Sequence, residues 1–349
     1  MKHIKTILSG AVMLALAIPA GAQQIANSDF DGEWHDCIPF TYYADEGYSD
    51  QLSKVVVGQN PAGWVISNVT GMAAYNDGSP AGLGSTQVGE RTEGYGEGAA
   101  VSLVNSPNPF MPQQIVPAYV TLGTTWSTAN PAFGMTGITI NDSDGGTFGG
   151  QAFSERPKGI EFMYRKSRGT AKPDEPAMVV AYLWKGHWTQ SDVPVTIYMA
   201  GEPTKIPMVD RDRCVLGMDM TGLQGGEVTP SEDAELIAVI KAEITADADE
   251  WTKFSADFEY LSQATPEMIN IVISAGDYFA KAEDVGEGNG IDVDNLSLVY
   301  VQTGIDEINV GDALVEYYNL GGMRVDAANA APGLYIRRQG DKASKVIIR

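Results

Sequence analysis

The sequence has few of the side chains that build metal and redox sites. Its 349 residues include only two cysteines, Cys37 and Cys214, and three histidines. Without a closely spaced pair of cysteines, a structural zinc site is not expected. The two cysteines either form a disulfide, as an oxidising compartment would allow, or remain as separate buried thiols.

Two common catalytic motifs are also missing. The sequence contains no G-x-S-x-G elbow and no phosphate-binding loop that ends in Lys followed by Ser or Thr. We interpret the glycine-rich stretch at residues 94–98 as a flexible turn, because it has neither the helix nor the basic residue of a phosphate loop. Glycoside hydrolysis would need a pair of carboxylates, and counting acids cannot select a pair from 45.

Positive charge is scarce. The chain has 23 basic and 45 acidic residues, which gives a formal net charge of −22. Nucleic acids and anionic membranes are bound by clustered Lys and Arg, so neither is expected as a partner. A neutral or cationic partner, or a divalent cation, remains compatible with this charge.

Long hydrophobic runs are missing except at the N-terminus. The apolar run at residues 7–18 follows the basic residues Lys2 and Lys5 and precedes the small residues at 19–22. This pattern predicts a signal peptide over residues 1–22, with cleavage after Ala22 and no lipid anchor. No later segment is apolar and long enough to span a membrane as a helix. We therefore expect an exported chain without a transmembrane helix in its mature part.

Turn-forming residues are abundant and widely spread. The chain has 39 glycines and 18 prolines, which separate short runs rich in β-branched and aromatic residues. Apolar residues alternate at Phe254, Ala256, Phe258 and Tyr260, as on a strand with one buried face. Many short strands divided by turns predict an all-β fold, an antiparallel β-sandwich.

Six motifs in order resemble the putative carbohydrate metabolism domain of Bacteroidetes surface proteins. The resemblance implies a jelly-roll β-sandwich like that of carbohydrate-binding modules, over residues 23–302, and it carries over no catalytic residue. The proline-rich residues 107–131 depart from the family pattern and leave a ligand groove unassigned. The motifs are NSDFDGEW at 27–34, PAGW at 61–64, GAAVSL at 98–103, FSERPKG at 153–159 with FMYR at 162–165, WTKF at 251–254 and GIDVDNLSL at 290–298.

The segment at residues 231–244 is ambiguous. Leu236, Ile240 and Ile244 have helical spacing, and the segment opens with a capping residue and acids. Its second half also has the composition of a strand. The family resemblance favours the strand.

The last 35 residues resemble a second known module. Residues 315–349 read as a tyrosine-rich strand, a turn at Gly321 and Gly322, a strand near 333–336 and a terminal KVIIR. They resemble the C-terminal sorting domain of type IX secretion in Bacteroidetes. The resemblance implies a small β-domain over residues 303–349, recognition by the secretion machinery, and a place at the cell surface or outside the cell. The alternative is a terminal hairpin that packs on the main domain.

Acidic residues at both ends of the body suggest a cation site. Asp31 and Glu33, with Asp29 before them, lie near its start, and Asp292 and Asp294 lie near its end. If the first and last strands are neighbours, these oxygens could bind a structural calcium ion, which takes six to eight oxygen ligands. The alternative is that these acids only face water.

Aromatic residues suggest a sugar site within YLWKGHW. Tyr182, Trp184, His187 and Trp188 lie at a predicted strand end, with a turn at Gly186. Indole and phenol rings can stack on the apolar faces of sugars while polar groups bind the hydroxyls. The alternative is that these rings fill the core.

Together these patterns predict an exported, non-catalytic carbohydrate-binding protein of the cell surface or the periplasm. A glycoside hydrolase is the alternative from another class. A structural or adhesive surface protein without a small ligand is the third.

Overall fold

The computed structural model describes most of the predicted body and tail. The described residues are 22–39, 54–70, 72–76, 79–109, 111–134, 137–186, 188–190, 228–230, 232–280, 284–301, 315–326, 330–339 and 342–348. Their regular elements are all β-strands, without any α-helix, so the all-β prediction is confirmed. Within these ranges no helix has the length and apolarity to cross a bilayer. The predicted signal peptide lies almost wholly outside them, since only its last residue is included.

The chain divides into two compact units, Met1–Tyr300 and Val301–Arg349. The boundary expected from the sequence lies between residues 302 and 303. The strands of the first unit are β1 (Trp34–Asp36), β2 (Gln59–Pro61), β3 (Val65–Ile66), β4 (Met72–Asn76), β5 (Ser79–Leu83), β6 (Gly89–Glu93), β7 (Ala99–Val104), β8 (Ser106–Asn108), β9 (Met111–Val116), β10 (Tyr119–Thr121), β11 (Thr124–Gly134), β12 (Gly137–Phe148), β13 (Gln151–Ala152), β14 (Gly159–Ser167), β15 (Ala177–Lys185), β16 (Trp188–Gln190), β17 (Val228–Pro230), β18 (Glu235–Ile244), β19 (Ala248–Asp257), β20 (Glu259–Tyr260), β21 (Met268–Ser274) and β22 (Gly290–Val299).

Two large antiparallel sheets form the centre of the first unit, and the described residues add five two-stranded sheets: β1-β2, β4-β5, β8-β9, β11-β12 and β16-β17. The seven-stranded sheet has the order β20-β18-β15-β21-β10-β3, with β13 also paired to β21. The five-stranded sheet has the order β19-β14-β22-β7-β6. One hydrophobic core includes Ile160 and Phe162 of β14, Val293 of β22, and Val179 and Ala181 of β15. Because these residues come from both sheets, the two sheets pack face to face around that core.

Strand β15 is buried along nearly its whole length. Its odd-numbered residues from Val179 to Leu183 join the core between the sheets. Its even-numbered residues point to the opposite face, because side chains alternate along a strand. There they form a second apolar cluster, which we call the outer cluster: Tyr119, Met178, Val180, Tyr182, Trp184 and Val272.

The ambiguous segment forms a strand. Residues Glu235–Ile244 are β18, which pairs along its length with β15 and near Ala238 with β20. Its neighbours on both sides supply ladder hydrogen bonds, which outweigh the modest helix propensity of Ala, Glu and Leu. The strand interpretation is therefore confirmed.

The start of the described chain runs beside the last strand of the first unit. The side chain of Gln24 donates to the carbonyl of Leu298 at 3.0 Å and accepts from its amide at 2.8 Å. The Tyr300 hydroxyl donates to the carbonyl of Gln23, and the amide of Leu296 donates to the carbonyl of Ser28 at 2.9 Å. The two ends of the body therefore lie side by side.

The strands described in the second unit are β23 (Val315–Tyr318), β24 (Arg324–Val325), β25 (Gly333–Gln339) and β26 (Lys342–Ile348). They form one four-stranded antiparallel sheet of order β24-β23-β25-β26. The predicted turn lies between β23 and β24, where the Asn319 side-chain oxygen accepts from the amides of Gly321 and Met323, each at 3.0 Å.

Cys37 is a buried thiol that forms no disulfide within the described part of the chain. Burial raises the pKa of this thiol, and hydrogen bonds with Asn68 and Asn60 oppose the rise. Cys214 lies outside the described residues, so its pairing stays a prediction.

Candidate functional site

Two of the predicted cation ligands, Asp31 and Asp294, converge on the turn between β6 and β7. Asp31 Oδ1 accepts from the amide of Ala99 at 2.7 Å. Asp294 Oδ2 accepts from the amide of Tyr95 at 2.5 Å, and its Oδ1 accepts from the amide of Asn295 at 2.6 Å. The first segment and the last strand of the body thus hold the same turn through carboxylates.

The turn is shaped to admit these carboxylates. Gly98 has a φ of +117°, and a Cβ atom there would lie 2.0 Å from Asp31 Oδ1. Glycine is therefore required for both the backbone conformation and the close approach of the carboxylate. Residues 94–98, which the sequence pattern indicates to be a flexible turn, are held at both ends by these carboxylates.

Asp294 lies in an unfavourable place for a charge. Burial raises the pKa of its carboxyl, and the negative charges of Asp31 and Asp29 raise it further. The backbone amides of Tyr95 and Asn295 act in the opposite direction by donating to the ionised form. The net effect is a raised pKa, because these donors only partly offset the loss of hydration.

The other two predicted cation ligands have different surroundings. Asp292 forms an ion pair with Arg165, and Glu33 is exposed with His35 3.9 Å away. Within the described ranges no group of three or more His, Cys, Asp or Glu residues is placed to hold a metal ion. Calcium binding stays a prediction, and only Asp31 and Asp294 of the four ligands come together.

An aromatic and charged cluster lies beside this turn, on the outer face of the five-stranded sheet. The guanidinium carbon of Arg165 lies 4.5 Å from the ring centroid of Trp251. Arg165 donates to Asp292 Oδ2 from Nη2 at 2.8 Å and from Nε at 3.0 Å. The ring of Tyr95 meets Trp251 edge to face, with centroids 6.3 Å apart.

The cluster continues as a polar row across the sheet. Arg165 is opposite Asp292, Asp292 is opposite Ser102, and Ser102 is opposite Glu90. Residues directly opposite each other in an antiparallel pair lie on the same face. We call this set the polar row, and it consists of Trp251, Arg165, Asp292, Ser102 and Glu90.

The predicted aromatic site is placed differently. Tyr182 and Trp184 belong to the outer cluster and are 1% and 0% exposed, so they fill the interior and offer no ring face to solvent. Strand β15 ends before Gly186, and Trp188 begins the separate strand β16. The side chain of Trp188 is not described, and His187 lies outside the described residues. Their role in binding stays a prediction.

Sequence reasoning missed Tyr95, Arg165 and Trp251 as site residues. The alternation of Phe254 and Ala256, both packed on the core, puts the odd-numbered residues of β19 on the outer face. That pattern was sufficient to place Trp251 outside. The partnership with Arg165 depends on the register of β14 and β19, which the sequence does not state.

This face combines aromatic surface with polar side chains. Trp251 and Tyr95 provide aromatic surface, while the row provides hydrogen-bond donors and acceptors. The half-buried or buried carboxylates described on this face are all engaged. Asp292 is bound by Arg165, Glu161 by Lys253 at 2.7 Å, and Asp294 by two backbone amides.

The comparisons with known proteins give only remote likenesses. No protein-family model matches the chain, and no curated protein matches it closely enough to count as a relative. The chain is similar to a putative glycoside hydrolase from Bacteroides thetaiotaomicron, with a TM-score of 0.37 and 13% identity, over 61% of this chain and only 57% of that one. It is similar to a putative glycoside hydrolase from Bacteroides vulgatus, with a TM-score of 0.37 and 12% identity, over 67% of this chain and 95% of that one. We draw no conclusion about activity from likenesses this low.

Proposed function

We propose that the first unit is a carbohydrate-binding module of jelly-roll type, and that it binds its ligand along the polar row. The observation that carries the proposal is Trp251, a half-buried indole braced by Arg165 at one end of the polar row. Sandwich topology supports the jelly-roll assignment, because sequence-distant strands such as β22 and β7 are neighbours in the sheet.

The chemistry of a sugar fits this surface. Sugar C–H faces stack on indole and phenol rings, and hydroxyls bond to groups held at fixed positions beside them. Arg165 is held by Asp292 and by the indole together, so its remaining donors are already oriented. Pre-orientation lowers the entropy that binding would otherwise cost.

A glycoside hydrolase is the second candidate, and Asp294 is the residue that favours it. A carboxyl with a raised pKa is the kind of group that acts as a general acid in glycosidases. Against this role, Asp294 is 3% exposed, and both of its oxygens already accept backbone amides. We therefore favour binding without catalysis.

The cellular localisation of the protein and its binding of a cation are also proposals. We propose that the chain is exported after cleavage at Ala22, that residues 303–349 are recognised by a secretion machinery, and that the mature protein acts at the cell surface. Mass spectrometry of the mature protein should then find Gln23 as its first residue, and an N-terminus at Met1 would contradict export.

Calcium should raise the melting temperature if Asp31 and Asp294 take part in a cation site, and a chelator should lower it.

Glycan binding by Trp251→Ala tests the main proposal. Wild-type protein should bind members of a glycan array, and the variant should lose that binding by at least about tenfold, as aromatic anchors at interfaces do. Leu261→Ala is the control, because Leu261 is an exposed apolar side chain, 54% accessible, away from the row. Equal binding by Trp251→Ala and wild type would contradict the proposal. Release of reducing ends from a bound polysaccharide, abolished by Asp294→Asn, would favour the hydrolase.

A further inference from the structure

The polar row has a definite length and a definite balance of charge. We propose, resting on the proposed function above, that its ligand is an oligosaccharide lying across the strands, and that this oligosaccharide is uncharged or amine-bearing rather than anionic. The length argues for several sugar units, and the charges argue against uronate or sulfated sugars.

The length follows from the sheet. The row begins at Trp251 on β19 and ends at Glu90 on β6, which are the two edge strands of the five-stranded sheet. Neighbouring strands lie about 4.8 Å apart, so four intervals span about 19 Å. A surface of this length exceeds a single sugar ring. Affinity should therefore grow with chain length until the row is filled.

The cations of this face are already committed. Arg165 gives two hydrogen bonds to Asp292 and lies over the Trp251 ring. Lys253, the next outward residue of β19, is bound to Glu161 at 2.7 Å. A sugar carboxylate or sulfate would have to take Arg165 from Asp292 and leave that carboxylate without its partner. The anionic ligand would then lie beside the unneutralised charge of Asp292, which repels it.

The polar row has more hydrogen-bond acceptors available to a ligand than cations. Both bonds from Arg165 go to Asp292 Oδ2, which leaves Oδ1 as an acceptor for a hydroxyl or an ammonium group. Glu90 is exposed at the far end of the row, and Ser102 lies between them. Arg91 follows Glu90 on the strand and so points to the opposite face. The row as a whole carries two carboxylates and one cation, which repels an anionic ligand.

The test compares three probes of matched length. Cello-oligosaccharides are neutral, chitosan oligosaccharides bear amines, and oligogalacturonates bear carboxylates. Calorimetry and the glycan array should show binding to neutral or amine-bearing chains, tighter for longer chains, with anionic chains weaker by at least about tenfold. Binding that is independent of chain length, or anionic chains that bind as tightly as the others, would overturn the inference.

Variants separate the failure of this inference from the failure of the proposed function. Asp292→Asn combined with Glu90→Gln should raise affinity for oligogalacturonate by about tenfold, because it removes two negative charges and frees Arg165. Asp257→Asn is the matched control, since Asp257 is on the outer face of β19 but off the row, beside Lys158 at 3.3 Å. Tight binding of oligogalacturonate by wild type that Trp251→Ala abolishes would keep the site and refute the charge preference. No binding to any glycan would refute both.

Discussion

The outer faces of the two large sheets each present a tryptophan, but in opposite circumstances. Trp184, on the seven-stranded sheet, is fully buried among apolar residues of the outer cluster. Trp251, on the five-stranded sheet, is half-buried and is braced by a charged side chain. The difference shows that the residue type alone does not mark a ligand surface. A candidate ligand surface is distinguished by the side chains that surround the aromatic ring on that face of the sheet.

The strand sequences explain the contrast. β15 reads AMVVAYLWK, an almost continuous apolar run that is buried on both faces. β19 reads ADEWTKFSAD, in which single half-buried residues are separated by one or two exposed residues. A continuous run belongs to a strand covered on both sides, and alternation belongs to a strand with one face in water. An aromatic residue on the solvent-facing side of a strand is therefore a better site candidate than one within a continuous apolar run.

The sharpest test of the contrast is stability. Trp184→Ala should lower the free energy of unfolding by about 3–5 kcal/mol, as large-to-small changes in cores do. Trp251→Ala should lower it by about 1 kcal/mol or less, as expected for a surface residue. Urea unfolding followed by circular dichroism would measure both. Equal losses for the two variants would break the comparison.

The turn that carries Tyr95 offers a second test. Gly98→Ala should destabilise the protein by roughly 2–3 kcal/mol, because the left-handed backbone is strained and the new Cβ meets Asp31. Gly96→Ala is its matched control, with a φ of +85° but no atom within 4 Å of the added Cβ. That variant should cost only about 1 kcal/mol. Glycan binding should fall with Gly98→Ala, and similar effects from both variants would argue against the Asp31 contact.

The titration of Asp294 offers a third test. Because its pKa is raised on folding, its proton stabilises the fold fully below the ordinary carboxyl pKa, and that stabilisation is lost as the pH rises through the raised value. Asp294→Asn removes this titration. The variant should therefore lose less stability than wild type between acid pH and neutrality, as measured by urea midpoints at a series of pH values. Trp251→Ala, which removes no carboxyl, should keep the wild-type slope, and an unchanged slope in Asp294→Asn would contradict the assignment.

The smallest expected effect concerns the ion pair of the polar row. Arg165→Ala should reduce stability by only about 0.2–1 kcal/mol, since the pair is partly open to solvent and is screened by salt. The same change should alter the fluorescence of Trp251, because it removes the guanidinium from the ring. A stability loss as large as that of Trp184→Ala would mean that this face is a second core rather than a binding surface.

The sequence predicted the all-β class, the strand at residues 235–244 and the tail turn, because periodicity and turn chemistry are local. It also predicted that Asp31 and Asp294 would converge if the first and last segments of the body were neighbours. It could not supply the register that puts Arg165 beside Trp251, since that pairing depends on a bulge in β19 between Ala248 and Thr252, opposite Tyr164 and Lys166 of β14. Nor could it tell that Tyr182 and Trp184 are interior residues, because an aromatic strand end looks the same whether or not other segments cover it.

The adjacent ends of the body have a practical consequence. Gln24 and Leu298 exchange two hydrogen bonds, so the first unit enters and leaves its fold at one place. A domain of this kind can be inserted into a surface loop of another protein without stretching the host chain. It can also be circularly permuted, with a short linker joining the old ends and new ends opened in a loop far from the polar row. Such permutants would present the same sheet face from a different point of attachment.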